Sequence, residues 1–124
     1  TEPVHFLQIW IVPDTRGLKP AYGQLAFDRD EARSGFVLLA SKDGRDGSIR
    51  VRQDVDLWVT RVAAGERREL AVRPGRQAWV HAARGSASVN GTVLREGDGA
   101  AVSAEETLTF LGEREAELLV FDLA

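Results

Sequence analysis

His5 and His81 are the chain's whole supply of imidazole, and cysteine is absent. A catalytic zinc takes about three protein ligands plus a water, so these two histidines would need a carboxylate that no local spacing announces. Each is expected to pack in a sheet, with a backbone or solvent hydrogen bond. Asp54 and Asp56 stand two apart in a strand-like run, which aims both carboxylates at one side, as some metal and glycosidase sites do. With Val55 and Leu57 pointing the other way, the expectation is ordinary half-buried alternation with the carboxylates solvated. Gly97-Asp98-Gly99-Ala100-Ala101-Val102 begins like a dinucleotide fingerprint. Val102 replaces its third glycine and no helix follows, so the reading is a hairpin turn. Gly85-Ser86-Ala87-Ser88 lacks the flanking glycines of a nucleophile elbow. Trp10, Trp58 and Trp79 could stack a sugar on an open platform, but tryptophan in strands is expected as a core or interface anchor.

The elements that would position these residues are short and β-prone. The chain has 124 residues, room for one domain. Sixteen Lys and Arg against 19 Asp and Glu give a net charge of −3, which offers no footprint for nucleic acid. Lack of cysteine excludes disulfides, thiolate zinc sites, iron–sulfur clusters and a cysteine nucleophile. The longest apolar stretch, residues 6–12, is broken by Gln8 and falls far short of the ~20 residues of a membrane helix. The chain reads as cytoplasmic, with neither membrane nor nucleic acid as partner. It contains no methionine and opens almost at once on a β-prone run, which favours excision from a longer protein.

Strands are expected at residues 4–12, 35–40, 48–52, 55–62, 68–72, 77–82, 87–90, 92–95, 99–102, 107–111 and 117–121. Turn residues separate them. Asn90-Gly91 is the sharpest signal, because that pair suits the type I′ turn of a two-residue hairpin. Residues 21–34 are helix-compatible only around Asp28 to Arg33, and a surface loop is expected there. Strands of this number in one small domain must close into two packed sheets or a barrel. The fold class is therefore all-β, a jelly-roll sandwich.

Specific residue strings carry a resemblance. Leu7-Gln8-Ile9-Trp10-Ile11-Val12-Pro13, Gly17-Leu18-Lys19-Pro20-Ala21-Tyr22, Asp46-Gly47-Ser48-Ile49, Gln53-Asp54-Val55, Gly85-Ser86-Ala87-Ser88-Val89-Asn90-Gly91 and Leu119-Val120-Phe121-Asp122-Leu123 resemble the C-terminal half of pirin-like bicupins, in the bacterial quercetin 2,3-dioxygenase-like branch. The resemblance implies a cupin-type jelly roll over residues 14–124, with residues 1–13 as an extension strand joining the two halves. It implies that the other, N-terminal cupin holds iron or another divalent metal through three histidines and a glutamate.

Laid on the cupin motifs, this half has lost its ligands. If Gly85 is the motif glycine, Ala78 stands at the glutamate position, and Ala71, Val72, Arg73 and Pro74 surround the histidine pair. Counted from Gly97-Asp98, the second motif's places hold Ser103, Glu105 and Leu108. The expectation is a metal-free, non-catalytic cupin without a cofactor, completing a bicupin through an interface at Phe6, Gln8, Ile9 and Trp10. As an isolated chain it is expected to dimerise or exchange its first strand, since unpaired edges recruit partners. The alternative is a binding module for an aromatic or flavonoid-type molecule, with a cavity around Trp58, Trp79 and His81. A third expectation, a complete enzyme using His5 or His81 with Asp54 and Asp56, is the weakest.

Overall fold

The computed structural model describes residues 29–51, 53–72, 75–103 and 107–123. In order they form α1 (Arg29–Ser34), β1 (Phe36–Ser41), a 3-10 turn (Arg45–Gly47), β2 (Ile49–Arg50), β3 (Val55–Val62), β4 (Arg67–Ala71), β5 (Gln77–Arg84), β6 (Ser86–Val89), β7 (Thr92–Arg95), β8 (Gly99–Ser103), β9 (Thr107–Gly112) and β10 (Ala116–Leu123). Every strand expected within the described residues is present. The one expected at residues 4–12 lies outside them.

The strands make two sheets, a six-stranded one ordered β2-β1-β3-β10-β5-β8 and a four-stranded one ordered β4-β9-β6-β7. Period-2 alternation decides which side chains meet between them. In the larger sheet Trp58, Val120 and Val80 are cross-strand partners, and all three join the cluster that also holds Val62, Val89, Leu108, Phe110 and Leu118. The odd-numbered positions of β3 and β10 face the other way, where Leu57, Val59 and Leu119 form a second cluster with Ala40. β3 is therefore buried on both faces. That corrects the expectation of a half-buried strand at its start: Val55, Asp56 and Leu57 are all buried.

The loop expected across residues 21–34 is also corrected. Its end folds into α1, with Ala32 fully buried. A six-residue helix has little intrinsic stability, and a side chain from the opposite sheet supplies what it lacks. Arg68 donates to the carbonyls of Ala32 (3.2 Å) and Arg33 (2.7 Å), and also to Thr60 Oγ1 (2.7 Å), the Arg61 carbonyl (2.6 Å) and Glu66 (2.9 Å). These bonds satisfy carbonyls at the helix end and tie α1 to both sheets.

Two backbone positions explain why glycine is required. Gly85, at φ +71°, passes so close to β10 that a Cβ there would lie 2.0 Å from the Glu115 carbonyl oxygen. The expected Asn90-Gly91 hairpin is present: both residues have positive φ, 47° and 87°, between the paired Val89 and Thr92.

Candidate functional site

Gly85 fixes the junction of β5 and β6, and seven residues before it Ala78 lies on the core side of β5, 3% exposed. Val72 follows β4, and Leu108 stands on β9 with no exposed surface. Leu108 is 30 residues beyond Ala78, yet all three belong to one apolar cluster with Val80, Phe110 and Val120. Methyl, isopropyl and isobutyl groups carry no lone pair, so these residues do not fit a metal ion. Among the described residues no three His, Asp or Glu side chains are grouped to hold one. Arg73, Pro74 and Glu105 lie outside the described residues.

Beside Ala78 the neighbouring ends of β3, β10 and β5 are crossed by ion pairs. Ala78 is the cross-strand partner of Asp122, and Asp122 that of Asp56. The two carboxylates have 7% and 6% side-chain exposure. Arg45, in the turn after β1, grips Asp56 with both terminal nitrogens, at 3.1 and 2.7 Å. Arg76, just ahead of β5, bonds Asp122 through Nε and its carbonyl through Nη2 (2.9 Å), and reaches the Asp54 carboxylate at 2.8 Å. Bidentate arginine–carboxylate geometry of this kind fixes orientation as well as charge.

The electrostatics follow from these contacts. Asp56's hydrogen bond raises the Arg45 guanidinium above its ordinary range. Burial opposes the charge on Arg76, but the hydrogen bonds to Asp122 and Asp54 outweigh it, so that group too is held above its usual value. Arg45's hydrogen bond, at 3.1 Å, holds the Asp43 carboxyl low.

The residues singled out by sequence are distributed as follows. Asp54 and Asp56 do not form a pair: Asp54 precedes β3 and bonds Arg76, whereas Asp56 is buried on Arg45. Trp58, Trp79 and His81 are not brought together. Trp58 packs against the core between the sheets, while Trp79 and His81, odd-numbered on β5, share the opposite face with their partners Phe121 and Leu119. Trp79 is 42% exposed. His5, Trp10 and the interface residues Phe6, Gln8 and Ile9 lie outside the described residues. Sequence reasoning missed Arg45, Arg76 and Asp122. The signal was parity, since Asp56 and Asp122 share register with Trp58 and Val120 on the core side of their strands.

Two sheets closed on one apolar core, six strands against four, define a cupin-type β-sandwich. The profile of one protein family, described as the quercetinase C-terminal cupin domain, matches residues 38–123. The chain belongs to that family. It is similar to a quercetin 2,3-dioxygenase of Escherichia coli K12, with 34% identity over 99% of this chain and 52% of the relative. A putative quercetin 2,3-dioxygenase of Pseudomonas aeruginosa is 36% identical, over 99% of this chain and 53% of its own length. Among solved structures, the crystal structure of YhhW from Escherichia coli superposes with a TM-score of 0.86 at 32% identity, covering 93% of this chain and 48% of that one. The bacterial pirin YhhW in complex with nickel(II) gives 0.84 at 31%, covering 92% and 48%. The chain thus spans about half the length of the relatives it matches. No helix among the described residues is long and apolar enough to cross a membrane.

Proposed function

We propose that this chain is the metal-free, non-catalytic C-terminal half of a pirin-like, quercetin 2,3-dioxygenase-like bicupin, acting as structural partner to an N-terminal cupin that carries the metal. The observation behind this reading is the apolar cluster that joins Val72, Ala78 and Leu108. Uncompensated burial of a charged ion among such groups is prohibitive. The Arg45–Asp56 and Arg76–Asp122 pairs tie loops to strand ends, a cross-linking role that a resident metal fills elsewhere. The shares of 52% and 53% leave room in the relatives for a second cupin. The segment of residues 4–12, with Phe6, Gln8, Ile9 and Trp10, is assigned to the junction between the halves.

Elemental analysis of the full-length protein and of the 124-residue chain, both dialysed against buffer, tests the reading. The expected result is one equivalent of transition metal in the former and none in the latter. An equivalent in the isolated chain overturns the metal-free assignment. Absence from both overturns the metal-bearing partner.

A further inference from the structure

The outward face of β5 combines an exposed aromatic ring with a charged cleft. Trp79 is its most exposed aromatic group, 42% open, yet its ring is not free to swing. It lies across β8 over Gly99, where a Cβ would come within 2.3 Å of Trp79 Cζ2, and Phe121 flanks it on β10. Five positions further along, past His81, Arg84 stands opposite Glu117. Glu117 Oε2 is already taken by Arg61, through Nε and Nη2 at 3.0 Å each. Arg84 has no hydrogen-bond or ion-pair partner among the described residues. It opens instead on a surface cleft of about 260 Å³ that it shares with Arg61, Glu115, Ala116 and Glu117.

We infer that this face, from Trp79 to Arg84, is where the other half of the full-length protein docks, seating an apolar side chain on the Trp79 ring and an acidic one in the cleft against Arg84. The inference rests on the bicupin reading above. Three observations choose the occupant and the place. The relatives carry about as much chain again as this one, so a body of equal size is tethered nearby, and tethering makes a small patch sufficient. Tryptophan and arginine are the residue types that dominate contact energy at interfaces, and a ring already pinned over glycine has little rotamer freedom left to lose. The unmatched guanidinium beside a cleft calls for a carboxylate. Among the described residues the other exposed large apolar side chains, Val93 and Leu111 at 50% and 41%, lie on the four-stranded sheet with Ser88 between them in register. They offer neither an aromatic plate nor an unmatched charge.

Hydroxyl-radical footprinting with mass spectrometry, on the full-length protein and on the 124-residue chain, tests this without any substitution. The expected result is a several-fold lower labelling rate of Trp79 in the full-length protein, with Val93 and Leu111 unchanged. Equal labelling of Trp79 in both, or protection of Val93 and Leu111 in its place, overturns the inference while leaving the bicupin reading intact. Protection of Trp79 in the isolated chain that rises with concentration assigns the face to a second copy and overturns it equally. A full-length protein without a second cupin removes the reading on which the inference stands. In the full-length protein, Arg84→Glu is expected to restore labelling of Trp79 toward the rate in the isolated chain; unchanged protection removes Arg84 from the contact.

Discussion

Asp56 and Asp122 face each other directly across β3 and β10, both buried, and each is matched by an arginine from a different loop. Like charges opposite one another in a sheet are destabilising, and Arg45 and Arg76 offset that repulsion. The row is continued by Ala78 on β5, which places the ion pairs beside the apolar cluster between the sheets.

Arg76→Met is expected to lower the unfolding free energy by about 3 kcal/mol, because it leaves the Asp122 carboxylate buried without its guanidinium. Replacing both partners, Arg76→Met with Asp122→Leu, should recover much of that loss, since an apolar pair of similar volume avoids the desolvation cost. Urea denaturation of the two variants and the parent chain measures both. Equal losses in the single and double variants would show that the pairing is not what the site depends on.

Gly85→Ala is expected to cost about 3 kcal/mol, the upper end for forcing atoms into a packed site, because strain at positive φ adds to collision with the Glu115 carbonyl. Gly91→Ala, at φ +87° with open space around the new methyl, should cost only about 1 kcal/mol for its backbone conformation. Thermal melts of the pair separate the two effects. Similar losses at both positions would mean that the close approach of Gly85 to Glu115 and Ala116 is unimportant.

The strand pattern was readable because alternation and turn chemistry act locally. Val55 to Val62, Thr92 to Arg95 and the Asn90-Gly91 hairpin needed no information from elsewhere in the chain. The short helix was not readable, since its stability comes from Arg68, 36 residues beyond the Ala32 carbonyl. The apolar character of Val72, Ala78 and Leu108 could be read along the sequence, whereas the ion pairs at the strand ends could not. They join residues 11 and 46 positions apart, and the loops that carry the arginines have no periodicity to betray their direction. The division of Trp58 from Trp79 and His81 follows from strand parity once the register is known.

A pH dependence follows from Asp43. Its folded-state carboxyl is held low by the Arg45 hydrogen bond, so the unfolded chain binds the proton more readily. The stabilisation is complete above the unfolded value of about 4 and disappears as pH falls through the lower folded value. Asp43 is a solvent-facing group, so the effect is small. The stability difference between the parent chain and Asp43→Asn should be larger at neutral pH than in strong acid. Denaturant midpoints across that range check it, and a difference that grows toward acid contradicts the sign.

The proposal that the interior holds no metal has its most direct test in the melting temperature of the 124-residue chain, measured with excess iron(II), nickel(II) or zinc(II) and again with chelator. A native-state site would add RT ln(1 + [L]/Kd), about 2.7 kcal/mol at a hundredfold excess over Kd. With Val72, Ala78 and Leu108 in place of ligands, the melting temperature should be the same in every condition. A rise with one metal that saturates at one equivalent per chain and is reversed by chelator would contradict the account.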